Sequence, residues 1–146
     1  MLVSMPLSFA ITNCGDVITT NLVLTNNVTN CDTSSGVVLN ASNIVFDCNG
    51  SVIHSNTHNN SGILLGLEAD GITIKNCQII NFEDGISDGI KEGEPCPNKD
   101  RSNIVVQDTF LNNNTIGLDF LQGACVGVGV TPFFRNLTLT DRKSVV

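Results

Sequence analysis

Carboxylates are the side chains of this chain best suited to catalysis. Asp84 and Asp88 flank a short glycine-containing stretch, and Asp108 and Asp119 follow further along. Two carboxylates held about 5 to 10 Å apart can cleave a glycosidic bond, and carboxylate oxygens also bind Ca²⁺. We expect Asp84 and Asp88 to be solvated turn residues rather than a Ca²⁺ site, so the pattern assigns no cofactor.

His54 and His58 are a second candidate for chemistry, because they are four residues apart. On a helix this spacing would place both imidazoles on one face, where they could bind a metal ion. Here they flank Ser-Asn-Thr in a polar segment with no helical pattern. We therefore expect two exposed histidines that hold no metal.

Charge is concentrated in residues 91–102, which also contain Cys96 and two prolines. Loops that project from a regular scaffold often carry binding residues, which makes this segment the candidate binding loop. A solvated insertion without function is the simpler interpretation, and we favour it. The candidate binding residues are Lys91, Glu92, Glu94, Lys99, Asp100 and Arg101.

Composition excludes several classes of protein. The 146 residues include 7 basic and 14 acidic side chains, for a net charge of −7, and no basic stripe exists that could neutralise a nucleic acid. No apolar run approaches the roughly 18 residues that span a bilayer. The 19 asparagines disfavour a helical protein, because asparagine competes for the backbone hydrogen bonds of a helix.

The six cysteines indicate an oxidising compartment. They are widely spaced and form no C-x-x-C pair, which disfavours a zinc ribbon or a thioredoxin-type site. A secreted, periplasmic or cell-surface location fits them best. Six Asn-x-Ser/Thr sequons agree with this location, although an asparagine- and threonine-rich chain also produces them by chance: Asn27, Asn40, Asn49, Asn59, Asn113 and Asn136.

The elements that must position these residues are short repeated strands. A polar residue or glycine followed by alternating apolar positions recurs at 21–25, 43–47, 71–75, 103–107 and 136–140, in steps of 22, 28, 32 and 33 residues. A second phrase starts at a glycine, and a third places an apolar residue two positions before a small polar one. Each unit therefore holds three short strands and no helix.

Such a chain is expected to coil so that equivalent strands stack in parallel, about 4.8 Å apart. Asparagine suits the bends, because it tolerates left-handed dihedral angles and can hydrogen-bond to the asparagine one coil away. The aliphatic columns of the interior are predicted to contain Ile44, Phe46, Ile72, Ile74, Ile104, Val106, Ile53, Ile79 and Phe110.

The coil also suggests how the cysteines are arranged. Cys14 and Cys31 bracket the first strand phrase and are the expected disulfide, closing the first coil. Cys48 and Cys77 follow the same phrase in successive coils. They could form a second bridge, but their positions differ by one residue, so we favour two buried thiols. A bridge between Cys96 and Cys125 is an open alternative.

The phrases NIVFDCNG from Asn43 and GITIKNCQIINFEDGI from Gly71 resemble right-handed parallel β-helix repeats. The similarity is closest to the NosD-like and pectate-lyase-like group of surface and periplasmic proteins. It implies an all-β, right-handed parallel β-helix, a single solenoid of about five coils. The resemblance is specific for fold and poor for function, because this scaffold hosts lyases, hydrolases, adhesins and non-catalytic modules.

We expect the β-helix domain to cover residues 11–140. Residues 1–10 are expected to be either a signal-peptide remnant or a capping strand. Residues 141–146 match the translation of a common sequencing adapter and are expected to be non-native, which implies that the natural chain continues past Thr140. Without this tail the basic and acidic counts are 5 and 13, and the net charge is −8.

Two functions agree with these features. The first is a non-catalytic extracellular or cell-surface module that contacts a polysaccharide or cell-surface glycan. The second is the N-terminal part of a polysaccharide lyase or glycoside hydrolase whose catalytic coils are missing. The Asp-Asp, His-Gly and Arg-x-Lys motifs that the polygalacturonase type would show are absent from residues 1–140, which favours the first function.

Overall fold

The protein is an all-β solenoid, seen in a computed structural model that describes residues 8–89, 103–120 and 132–141. These residues contain no helix, so none that could span a membrane. The strands are β1 (Ser8–Ala10), β2 (Asp16–Ile18), β3 (Leu22–Leu24), β4 (Val37–Leu39), β5 (Val45–Asp47), β6 (Val52–His54), β7 (Ser61–Leu65), β8 (Thr73–Lys75), β9 (Gln78–Ile80), β10 (Asp84–Ser87), β11 (Ile104–Asn112), β12 (Ile116–Asp119) and β13 (Pro132–Thr140).

The strands stack in parallel on three faces. Face 1 contains β1, β3, β5, β8 and the first halves of β11 and β13, and face 2 contains β6, β9 and the second halves of β11 and β13. Face 3 is the five-stranded sheet β12-β10-β7-β4-β2. The chain passes from face 1 to face 2 to face 3 in each coil, which confirms the predicted parallel β-solenoid.

Among the residues that the structure describes, three coils carry a strand on every face: β5-β6-β7, β8-β9-β10 and β11-β12, in which β11 serves both face 1 and face 2. The expected number of about five was too high. In the preceding coil, face 2 is reduced to an isolated bridge between Val28 and Ile53. Counting the repeated phrases that form the strands of face 1 therefore gives too many complete coils.

Residues with left-handed backbone angles occur at the corners between faces. Of the residues that the structure describes, eleven non-glycine residues have positive φ, and nine of them are asparagine, because its short polar side chain tolerates this conformation better than most residues do. The corner residues stack from coil to coil: Asn76, Asp108 and Asn136 between faces 1 and 2, Asn81 and Asn113 between faces 2 and 3, and Asn43, Gly71 and Asn103 between faces 3 and 1. Left-handed positions thus account for nine of the 19 asparagines.

The core consists of aliphatic columns that run along the solenoid axis. Eight of the nine predicted interior residues are buried, and the exception is Phe110. Its expected place is taken by Leu111, which pairs with Ile79 on face 2. The prediction was wrong because the third phrase aligned Phe110 by its position two residues before Asn112, whereas the left-handed corner is Asn113. A shift by one residue moves a strand side chain to the opposite side of the sheet.

A column of glycines lines the inner side of face 3 and accounts for the second repeated phrase. Gly36, Gly62, Gly85 and Gly117 occupy successive coils, and an added Cβ at each of the first three would meet the carbonyl oxygen of the next. At Gly62 the Cβ would also overlap Cγ2 of Ile79. The backbone therefore approaches the core too closely here for any side chain.

Within the described residues, two disulfides join neighbouring coils. The predicted bridge Cys14–Cys31 is confirmed, with Cα atoms 5.3 Å apart. The favoured interpretation of Cys48 and Cys77 as thiols was wrong, because they form a disulfide with Cα atoms 4.8 Å apart. Cys48 directly follows β5 and Cys77 directly precedes β9, and the corner after β5 is two residues longer than the corner after β8. An offset counted from the strand phrases therefore does not measure the distance between the two cysteines.

The hydrogen-bond repeat at the corner of faces 2 and 3 extends to Asp141. The side-chain oxygen of Asn114 accepts a hydrogen bond from the backbone N–H of Phe82, at 2.9 Å. One coil further on, Oδ1 of Asp141 accepts one from the backbone N–H of Asn114, also at 2.9 Å. The side chain of Asp141 thus makes the same contact with the backbone of Asn114 as the side chain of Asn114 makes with the backbone of Phe82.

Replacing Gly62 with alanine should lower the free energy of unfolding by about 3 kcal/mol, since overpacking of a tight core has a cost of this order. Its Cβ would meet Ile79 and would lie 2.8 Å from the oxygen of Gly85. Urea unfolding followed by circular dichroism measures the change, because the chain has no Trp or Tyr for fluorescence.

Gly50→Ala is the matched control for Gly62→Ala. No atom lies within 4 Å of its Cβ position, but φ is +79°, so the backbone cost alone should be about 1 kcal/mol. Equal losses for the two variants would contradict the packing argument.

The double variant Cys48→Ala/Cys77→Ala should lose about 3 to 4 kcal/mol in free energy of unfolding. The bridge spans 29 residues, and in the chain-entropy model closing such a loop restricts the unfolded chain by about this amount. Urea unfolding under non-reducing conditions measures the loss. Recovery of Cys48 and Cys77 as free thiols in a non-reducing peptide map would contradict the assignment.

Candidate binding groove

A groove of about 360 Å³ lies along the corner between faces 1 and 2. It crosses successive coils, so its walls are built from equivalent positions of neighbouring strands. Six of its nine lining residues have polar side chains, and one has an aromatic ring. The lining residues are Gly50, Asn76, Cys77, Gln78, Asp108, Thr109, Phe110, Asn136 and Thr138.

The corner residues of three coils form one side of the groove. Asn76, Asp108 and Asn136 have φ values of 56°, 49° and 49°. The side-chain N–H of Asn136 donates to Oδ1 of Asp108 at 2.9 Å, and that of Asn76 donates to Oδ1 of Asp47 at 2.9 Å. These bonds between coils hold the corner side chains in fixed positions.

The outward row of face 2 forms the other side. Phe110 pairs with Gln78 in β9 and with Thr138 in β13, so the three side chains are one strand apart. Phe110 is half-buried, whereas Gln78 and Thr138 are exposed. The side-chain N–H of Gln78 donates to the carbonyl oxygen of Gly50 at 3.1 Å. The groove therefore presents an aromatic ring between two polar side chains.

Sequence reasoning missed this site because it placed Phe110 in the core. The run Asn112-Asn113-Asn114 is the signal that could have identified the site, because any of these three asparagines could be the corner residue. Taking Asn113 as the equivalent of Asn81 would have turned Phe110 outward. Within the run, the side chain of Asn113 donates to Oδ1 of Asn81 at 2.7 Å and identifies the true corner.

A row of charged and polar side chains borders the groove on face 1. Lys75 lies 3.4 Å from the carboxylate of Asp47, and Gln107 and Arg135 continue the row. Partial burial acts to raise the pKa of Asp47, but hydrogen bonds from Asn76 and Asn49 and the charge of Lys75 outweigh it. The pKa of Asp47 therefore lies below its ordinary value.

The other candidate carboxylates do not gather with Asp108. Asp84 begins β10 and Asp119 ends β12, so both lie on face 3. Burial, followed by the nearby charge of Glu83, raises the pKa of Asp119 above its ordinary value. Asp88 was expected to be solvated but is buried, at 1% exposure, because it falls on an inward position after β10.

The two histidines are half-buried rather than exposed, and they contact the asparagines of the corner between faces 2 and 3. Nε2 of His54 lies 3.1 Å from the amide nitrogen of Asn81, and Nε2 of His58 lies 3.4 Å from that of Asn113. Across residues 8–89, 103–120 and 132–141, no group of three or more His, Cys, Asp or Glu residues could hold a metal ion.

The sequons differ in how their amides are used. The side chains of Asn27 and Asn40 accept hydrogen bonds from backbone N–H groups of the next coil. Those of Asn113 and Asn136 donate to corner residues of the preceding coil. These side chains stabilise the stacking of the coils, so the presence of asparagine at these sequons has a structural cause that is independent of any glycan.

The predicted binding loop lies outside the described residues, together with Cys96 and Cys125. That loop comprises Lys91, Glu92, Glu94, Lys99, Asp100 and Arg101. The corner groove is therefore the candidate site that the geometry of the described residues supports.

Comparison with known proteins identifies no relative. No protein-family model matches the chain, and neither the curated proteins nor the solved structures contain a significant match. The class of protein is thus defined by the fold itself: a disulfide-linked parallel β-solenoid with asparagine corners.

The variant Asp47→Asn should be less stable than the parent at neutral pH, and the difference should close in acid. Because the pKa of Asp47 is lowered by folding, the ionised carboxylate stabilises the protein above its unfolded value of 3.8. That contribution is lost as the pH falls through the folded-state pKa. Urea unfolding between pH 7 and pH 2 measures the difference.

Asp16→Asn serves as the charge-matched control, because it removes one negative charge from face 3. A pH-independent deficit in Asp47→Asn, or the same pH profile in both variants, would contradict the role of the Asp47 contacts.

Proposed function

We propose that this chain is a non-catalytic, extracellular or cell-surface β-solenoid module that binds carbohydrate in the corner groove. The observation that carries the proposal is the outward placement of Phe110 between Gln78 and Thr138. A sugar ring has an apolar C–H face that can pack on an aromatic ring, and its peripheral hydroxyls can bond to amide, carboxylate and hydroxyl groups. The groove offers an aromatic ring and polar side chains on adjacent strands.

The geometry of the groove also suits an extended ligand. Its polar groups come from equivalent positions of neighbouring coils, so they repeat along the axis at about 4.8 Å. Hydrogen bonds between coils hold these side chains in place before a ligand arrives. Such preorganisation lowers the entropic cost of binding, which supports a repeating polymer such as a polysaccharide as the ligand.

We further propose that the chain belongs with the NosD-like and pectate-lyase-like proteins and is secreted, periplasmic or displayed on the cell surface. The parallel solenoid and its stacked corner asparagines support the first assignment. Two disulfides support the second, because such bonds persist in oxidising compartments.

A non-catalytic role is favoured over a lyase or hydrolase by the distribution of carboxylates. Glycoside hydrolysis requires two of them across one scissile bond. Asp108 is the carboxylate of the groove lining, and Asp84 and Asp119 lie on face 3. Asp47, which borders the groove, is paired with Lys75 at 3.4 Å. Release of a reaction product from pectin or alginate by this chain would contradict the non-catalytic proposal.

Phe110→Ala should weaken carbohydrate binding by about tenfold, since truncating a central aromatic anchor removes more than 1 kcal/mol of binding free energy. Titration calorimetry with oligosaccharides of glucan, mannan, galactan, polygalacturonate and alginate measures the affinity. Because Phe110 is half-buried and faces outward, we expect Phe110→Ala to fold.

Leu67→Ala is the matched control, because Leu67 is a large exposed apolar residue, at 68% exposure, away from the groove. It should bind as the parent does. Absence of binding to every oligosaccharide, or equal losses in the two variants, would overturn the assignment of the groove.

A further inference from the structure

The polar groups of the groove share a feature that bears on which glycan it accepts. The amides of Asn76, Gln78 and Asn136 each donate one N–H to another group of the protein. Their side-chain oxygens accept no hydrogen bond from the described residues. The hydrogen bonds between coils thus use one N–H of each amide and leave the side-chain oxygens of the groove available to accept hydrogen bonds.

Asp108 adds to this surplus of acceptors. It is exposed at the corner, and its Oδ1 accepts from Asn136 while its second oxygen receives no bond from the described residues. An ionised carboxylate is an acceptor only. Among the nine lining residues, Asp108 is the charged one.

Within the described residues, no cation forms an ion pair with Asp108. Lys75 is paired with Asp47 at 3.4 Å. Arg135 immediately precedes the corner residue Asn136, so it lies in the outward row of face 1 and is not part of the lining. The whole chain has a net charge of −7, which adds to the negative field around the site.

We infer that the groove selects neutral, hydroxyl-rich glycans and rejects uronate polymers, with Asp108 as the specificity-determining residue. Hydroxyl groups donate hydrogen bonds to the surplus of oxygen acceptors. The carboxylate of a uronate cannot donate, and it is repelled by Asp108. This inference rests on the proposed function, because it concerns the choice of ligand in the same groove.

Asp108→Asn is the variant that tests the inference. Asparagine occupies the equivalent corner positions 76 and 136 with the same positive φ, so the substitution preserves the backbone conformation and an oxygen for Asn136. We expect the parent to bind neutral glucan, mannan or galactan oligosaccharides more tightly than oligogalacturonate or oligomeric alginate. In Asp108→Asn, affinity for the uronates should rise roughly tenfold, as for the loss of one close repulsion. Affinity for the neutral oligosaccharides should fall, because an amide N–H donor replaces one of the carboxylate oxygens that accept from hydroxyl groups.

Ionic strength provides a second readout in the parent protein. Salt screens the repulsion between exposed charges, so uronate binding should strengthen with added NaCl while neutral binding does not change. Measurements at about 10 mM and 0.5 M NaCl cover Debye lengths from roughly 30 Å down to a few Å.

The outcomes separate the inference from the proposed function. Equal affinity of the parent for uronate and neutral oligosaccharides, or an unchanged ratio in Asp108→Asn, would overturn the selectivity and leave carbohydrate binding intact. A parent protein that prefers uronates, together with a loss of binding in Phe110→Ala, would also overturn the selectivity and leave carbohydrate binding in the groove intact. Failure of the parent to bind any of the oligosaccharides would overturn both.

Discussion

The structure depends on one constraint, which is that the chain must turn sharply at the corners while every coil stays in register with the next. Such a bend needs a positive φ, which is costly for most L-residues. Asparagine lowers this cost and can also bond to the next coil, as Asn136 does to Asp108 and Asn113 does to Asn81. The corners therefore set both the direction of the chain and the stacking of the coils.

Once the corners are set, the interior follows from the alternation of strand side chains. Apolar residues of successive coils fall on the same inward positions and form columns such as Phe46, Ile74 and Val106. The close approach of face 3 to this core excludes a side chain along the glycine column. Disulfides then link neighbouring coils, which matters in a small domain because so little apolar area can be buried in it.

The candidate groove arises from the same corners. Asn76, Asp108 and Asn136 bend the chain, and they also present polar atoms to the outside. The residues that stabilise the fold are thus also the ones that offer a binding surface. Their side-chain donors are partly used between coils, so the hydrogen bonds that stabilise the stacking also determine which polar atoms of the groove remain available.

Much of the fold could be predicted from the sequence, because it is encoded in local patterns. Period-2 apolar alternation indicated the strands, polar phrases with glycine and asparagine indicated the bends, and their recurrence indicated parallel stacking. The Cys14–Cys31 bridge was also predictable, since both cysteines flank one strand phrase. Less could be predicted of the site: Asp108 was singled out as a candidate carboxylate, but neither its corner position nor the groove around it was foreseen.

The sequence by itself determined the all-β class, the repeated strands and the need for asparagine at the bends, because each of these depends on only a few neighbouring residues. The tertiary structure alone decided which asparagine of the run Asn112-Asn113-Asn114 is the corner, and hence that Phe110 faces the groove and Leu111 the core. It also decided that Cys48 and Cys77 form a disulfide and that Asp88 is buried. The physical reason is register: a shift of one residue reverses the side that a strand side chain faces, and only the pairing with the neighbouring coil selects among the alternatives.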